Sequence, residues 1–138
     1  MSTATSTLLM LLLRLYCCSR VTIGSKDSIL CILPEWLDRI LDEGKTAEIR
    51  GKPCWDKIGK RIWLRASGSG IVTGRATVIG CVKLTQSDWK SMRSQHLVPG
   101  ERLYGDRTHA WLLADVQRVA GIPIARKRGC VDWQTGPE

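Results

Sequence analysis

The chain has 138 residues, 21 of them basic and 13 acidic, for a net charge of +8. That length suits one domain with one modest core, and the ordinary apolar and charged fractions exclude a disordered or repeat-built chain. The positive excess attracts polyanions such as nucleic acid through the overall field, although a soluble protein that is merely basic has the same balance.

The N-terminal run Thr7 to Leu13 is strongly apolar and ends at Arg14. It is too short to span a membrane, and no basic segment precedes it as in a secretory signal. Residues 1–27 are therefore read as an extension outside the domain, with a targeting role as the alternative, and residues 28–138 as the domain itself. Ser28 to Leu33 reads as a strand. Pro34 suits the first turn of a helix, in which Trp36, Leu37, Ile40 and Leu41 form a core-facing stripe and Gly44 is the stop. Thr46 to Arg50 reads as a strand with Ala47 and Ile49 toward the core and Thr46, Glu48 and Arg50 on the other face. A loop from Gly51 to Gly59 leads to a strand over Arg61 to Ala66. A turn over Ser67 to Gly70 follows, then a long strand over Ile71 to Leu84, where Gly74 and Gly80 mark bulges. Ser87 is the predicted cap of a short helix carrying Trp89, Met92 and His96. Thr108 to Ala114 is a strand, Val116 to Arg128 a connection with Gly121 and Pro123, and Cys130 to Trp133 the last strand. Many short strands with two or more short helices predict an α+β fold, a small barrel-like sheet flanked by helices.

Six cysteines, Cys17, Cys18, Cys31, Cys54, Cys81 and Cys130, include no C-x-x-C pair, and His96 and His109 show no ligand spacing. No metal site and no cofactor are predicted, and the thiols fit a reducing, cytoplasmic compartment. Two constellations remain. In Gly44-Lys45-Thr46-Ala47-Glu48-Ile49-Arg50, opposite charges stand close together between a helix and a strand. Lys45 and Glu48 are candidate catalytic residues, and with Arg50 they are candidate ligand contacts. From spacing alone, an ion pair closing the barrel explains them as well. For Lys45 and Glu48 to share one cleft, Lys45 must sit in the turn after the helix. In the second constellation, Arg61, Trp63 and Arg65 interleave cations with an aromatic on one strand face, which suits single-stranded nucleic acid; the alternative is that Trp63 packs in the core. Ser67, Gly68 and Ser69 offer backbone amides to a phosphate or base, or simply form a hairpin turn.

The Gly44–Arg50 string resembles the signature of the ASCH domain, a relative of the RNA-binding PUA fold. Further landmarks follow in the family's order: Ile32-Leu33-Pro34-Glu35-Trp36-Leu37, Ser67-Gly68-Ser69-Gly70, the segment Tyr104 to Trp111 with Thr108, Ala110 and Trp111, and Arg128-Gly129-Cys130-Val131-Asp132-Trp133. The resemblance implies a PUA-like β-barrel with its cleft at Lys45, Glu48 and Arg50, and RNA or a nucleotide-like small molecule as partner, with no membrane. It also implies two alternatives. One is a small hydrolase using Lys45, either a modified-nucleoside amidohydrolase or a ribonuclease; the other is a protein–protein adaptor. The amidohydrolase relatives carry threonine where this chain has Glu48, and a glutamate in the later helix, where this chain offers only Asp88.

Overall fold

The computed structural model describes residues 22–125 and 132–137. Strand β1 (Ser28–Ile32) is apolar on both faces, and Ile29 to Ile32 are all buried, as befits a strand covered on both sides. Helix α1 (Pro34–Asp42) follows with Pro34 in its first turn and Leu37 and Ile40 buried. Just beyond it Gly44 stands at φ +78°, left-handed backbone that glycine adopts without strain. Next come β2 (Ala47–Arg50), a 3₁₀ turn (Trp55–Lys57), β3 (Arg61–Ala66) and β4 (Ile71–Lys83). Helices α2 (Gln86–Ser91) and α3 (Arg93–His96), a second 3₁₀ turn (Gly105–Arg107), β5 (His109–Pro123) and β6 (Trp133–Thr135) complete the described chain.

The six strands form one sheet in the order β2-β5-β4-β3-β1-β6, antiparallel except where β1 lies beside β3. The sheet curls into a half-barrel, so the fold is α+β and PUA-like, as the sequence predicts. Much of the curl is made in β4 and β5, whose pairing slips register after Val72, Arg75 and Val78; each slip bends and twists the ladder. Gly74 sits at the first slip. A Cβ there would stand 2.7 Å from Leu41 Cδ2, so glycine lets α1 close down on the sheet. Leu37 and Ile40 thereby join Leu30, Ile62, Leu64 and Trp111 in the main core. A second cluster gathers Ala47, Ile49, Trp89 and Val98 under α2 and α3.

Two expectations are corrected. Helix α2 is capped by Thr85, not Ser87, because Asp88 lies three residues beyond Thr85: the Asp88 N–H donates to Thr85 Oγ1 and the Thr85 N–H to Asp88 Oδ2, a reciprocal box that Ser87 cannot form. The connection read from Val116 is strand as far as Pro123, which pairs with Ile71 at the very start of β4; a proline at the end of a ladder removes no interior hydrogen bond. The last strand is described over Trp133–Thr135; Cys130 and Val131, where the predicted strand starts, lie outside the described residues. Cys31, Cys54 and Cys81 are buried free thiols; Cys17, Cys18 and Cys130 are not among the described residues. No helix of the described residues is long and apolar enough to cross a membrane.

Residues 22–27, placed by the sequence reading in the extension, lie against the outer face of the sheet. Ile23 packs with Ile122 and Ile124 over a third cluster of Ile29, Trp63 and Val72, and Trp63 Nε1 donates to Asp27 Oδ2 at 3.0 Å. Asp27→Ala leaves that indole N–H without its acceptor, a loss of about 1–3 kcal/mol. A thermal melt is expected to show Tm lowered by about 3–15 °C; an unchanged Tm would show that solvent reaches the indole.

Candidate functional site

Curling brings the two ends of the strand order together, and β2 supplies the side chains that meet there. Arg50 Nη2 donates to Glu48 Oε2 at 3.0 Å and to Cys31 O on β1 at 2.8 Å, while Nη1 donates to Asp132, which leads into β6. Lys52 reaches the other oxygen of Asp132 at 2.6 Å. The Ile49 N–H donates to Glu48 Oε1 at 3.1 Å. Burial works against the charge on Arg50, but Glu48 and Asp132 outweigh it and hold its pKa above the ordinary arginine value. Burial likewise opposes the charge on Asp132, and its bonds to Lys52 and Arg50 prevail, holding its carboxyl below the usual range.

Beside this junction opens a cleft of about 240 Å³. Glu48, only 3 % exposed, Arg50 and Ser67 form its polar lining; Trp36 and Tyr104 are its aromatic walls; Cys31, Ile49, Leu33 and Leu103 complete it, the two leucines about half exposed. The arrangement gives a ligand a carboxylate, a guanidinium and two π-faces within one pocket.

Lys45 sits in the turn between α1 and β2, as its candidacy required, but its ammonium is sealed off, with the residue 1 % exposed. It donates to His96 O and lies 5.1 Å from the Trp36 ring. Burial pushes its pKa down to about 8; Glu48 acts against the shift, and Arg39 and Arg50 reinforce it. His96 is fully buried and stacks on Trp89 at 3.9 Å. The Val98 N–H donates to its Nδ1 at 2.9 Å and its Nε2 lies 2.8 Å from Trp89 O, so the proton resides on Nε2 and both ring nitrogens are committed. Burial lowers its pKa, which keeps the ring neutral. His109 pairs with Arg50 across β2 and β5, and its Nδ1 lies 2.6 Å from Arg107 O. Asp88, the carboxylate of the later helix, is spent on the cap of α2.

The second constellation is divided. Arg61 is exposed at the start of β3. Trp63 is buried in the outer cluster. Arg65 is 4 % exposed, and its Nη2 lies 2.8 Å from Cys31 Sγ. In the turn, the Ser67 N–H donates to Ile32 O and the Ser69 N–H to Ala66 O, while Ser69 Oγ accepts from the Ile71 N–H and Gly68 takes φ +82°. Two of the amides that the sequence offered to a ligand are thus used by the fold. Of the nominated residues, the structure brings Glu48, Arg50 and Ser67 to the cleft and sets Lys45 and Arg65 behind buried surfaces. Arg61 and Trp63 lie elsewhere on the sheet. Sequence reasoning passed over Trp36 and Tyr104, taken as a core residue and as a landmark. The signal in reach was Tyr104, an aromatic set directly against turn-forming Gly105-Asp106. Among the described residues no cluster of His, Cys, Asp and Glu could hold a metal ion.

A family model described as ASCH domain matches residues 30–123. Among solved structures, ASCH from Zymomonas mobilis is 21 % identical with a TM-score of 0.61, over 72 % of this chain and 75 % of that one. A serine-to-alanine variant of the Zymomonas mobilis protein is 18 % identical with a TM-score of 0.67, over 85 % and 92 %. A tyrosine-to-phenylalanine variant is 24 % identical with a TM-score of 0.58, over 71 % and 76 %. At these identities the likeness is one of fold. No curated protein matches the chain.

Proposed function

Because the chain belongs to the ASCH domain family, we propose that its cleft binds RNA or a nucleotide-like small molecule and holds it without chemical change. The observation that carries this reading is the meeting, in one pocket of about 240 Å³, of the Glu48–Arg50 floor with the Trp36 and Tyr104 walls. A base splayed from a single strand stacks on aromatic faces and offers its edge to hydrogen-bonding groups. A carboxylate accepts from exocyclic amines and a guanidinium donates to carbonyl and ring acceptors. The volume lies just under the range of about 300–1,000 Å³ usual for drug-sized ligands, which matches one nucleotide unit rather than a length of strand. The net charge of +8 supports the same reading by steering anionic strands toward the surface.

The hydrolase reading has one observation in its favour. With a pKa near 8, about a tenth of Lys45 is neutral at pH 7. Against it, the amine is buried and bound to His96 O, His96 has no free ring nitrogen, and Asp88 caps a helix. Titration of labelled single-stranded RNA at low salt is the test. Tyr104→Ala is expected to weaken binding about 5- to 150-fold, the usual worth of one stacked base, and affinity is expected to fall steeply with salt. Equal affinity in Tyr104→Ala and Trp36→Ala would remove the cleft as the site. Deacetylation of acetylated cytidine, or RNA cleavage, that disappears in Lys45→Ala would replace the binding reading with the hydrolase.

A further inference from the structure

Arg65 is the anomaly of the molecule. A guanidinium does not lose its proton in a protein, yet this one is 96 % buried and has no carboxylate partner among the described residues: it forms no ion pair, and its Nε and Nη1 have no acceptor. Its one bond is from Nη2 to the thiol of Cys31. Glu48 and Asp132, the carboxylates of the junction, both serve Arg50. Among the undescribed residues the one acidic side chain is Glu138. Residues 1–21 and 126–131 contain no aspartate or glutamate, and 126–131 reads Arg-Lys-Arg-Gly-Cys-Val. A buried charge left uncompensated is strongly unfavourable, and proteins keep such groups paired.

Arg65 lies directly behind the wall of the cleft without lining it. It stands across from Cys31 in the β1–β3 ladder and two residues before Ser67, and Cys31 and Ser67 both line the cleft. Arg50 donates to the carbonyl of Cys31 and Arg65 to its sulfur, so two guanidinium groups flank one residue of the pocket wall. Arg50 is neutralised by carboxylates and Arg65 is not. We propose that Arg65, lying behind the Cys31–Ser67 wall, is the uncompensated positive charge that draws the phosphate of the bound nucleotide to that side of the cleft, and that the ligand is a nucleoside phosphate or an RNA phosphodiester, not a neutral nucleoside. This rests on the cleft being the nucleotide site, and it adds to that reading the part of the ligand that supplies the binding energy.

The test compares nucleosides with their 3′- and 5′-monophosphates by calorimetric titration, on the wild-type protein and on Arg65→Met. Methionine keeps an apolar stem of similar reach and removes the charge. In the wild type, at least one monophosphate series is expected to bind ten-fold or more tightly than its nucleosides. In Arg65→Met that advantage is expected to vanish while nucleoside affinity stays, and the Tm without ligand is expected to hold or rise because the uncompensated charge is gone. If wild-type protein binds nucleosides and monophosphates equally, the pull of Arg65 on the phosphate is overturned and the cleft reading survives. A phosphate advantage that persists in Arg65→Met places the phosphate elsewhere and overturns the proposal as well. If nucleosides, monophosphates and short RNAs all fail to bind, the cleft reading itself falls and takes the role of Arg65 with it. If Arg65→Met does not fold, Arg65 is a structural residue and the proposal is overturned, unless wild type shows the phosphate advantage and Arg65→Lys, which keeps the charge, retains it.

Discussion

Arg50→Met is expected to destabilise the protein by about 3–5 kcal/mol, the range found when one partner of a buried ion pair is removed. Calorimetry should record this as a drop in Tm of about 10–25 °C. The size follows from what the guanidinium does. It joins Glu48, Cys31 O and Asp132, and without it Glu48, 3 % exposed, keeps only the Ile49 N–H. Arg50→Lys is expected to recover little, since a single ammonium cannot reach three acceptors spread over two ends of the sheet. The double variant Glu48→Gln with Arg50→Met is expected to lose less than Arg50→Met alone, because the stranded carboxylate is gone. The pH dependence should change too. The depressed pKa of Asp132 means that its contribution is present above the unfolded carboxylate value of about 3.9 and fades as pH falls through the folded value. In Arg50→Met that acid-sensitive contribution shrinks. A fall of less than 1 kcal/mol for Arg50→Met would show that the half-barrel closes without its arginine.

Wild-type stability is expected to gain about 3 kcal/mol from Lys45 as pH rises from 8 to 10.5, and Lys45→Met is expected to lack that gain. The unfolded lysine holds its proton up to its ordinary pKa, 10.5, whereas the folded one releases it near 8. Between those values the unfolded state binds more protons, so folding grows more favourable with pH. Cys54 acts in the opposite sense. Burial and neighbouring Cys81 push its thiol up to about 12, so above pH 9 the unfolded state alone ionises and stability falls. That effect is common to both proteins and cancels when urea-denaturation midpoints are compared across the pH series. Parallel curves for wild type and Lys45→Met would mean that water reaches the ammonium and that its burial is not felt.

Much of the fold was written in local pattern. The apolar run of β1, the Trp36–Leu41 stripe and the glycine stop at Gly44 each obey a short-range rule, and each element appears where the rule puts it. The second half of β5 does not, because Gly121 and Pro123 locally favour a break and only pairing with the far end of β4 keeps them extended. The site was legible by composition and not by depth. Alternation correctly put Trp63 and Arg65 on one face of β3, but it could not show that this face is covered by Ile23, Ile122 and Ile124, from segments distant in sequence. Lys45 was found as a charge beside a carboxylate, while its burial depends on α3 arriving to present His96 O. Trp36 looked like core because it lies on the helical stripe, yet it sits where the stripe meets the cleft.

The join between β1 and the segment at Asp132 is made late in folding. Arg50 and Asp132 are separated by 82 positions, and among the described residues the outer edge of β1 is covered by Asp132 and residues 133–135. Contacts between such distant positions form late, because a long loop must close before they are rewarded. A chain in which residues 132–135 have not yet docked can build the β3–β4–β5 meander, but it leaves β1 unprotected along one side and Arg50 without Asp132. The junction beneath the cleft is therefore expected to be among the last parts of the fold to form, after the sheet that carries it.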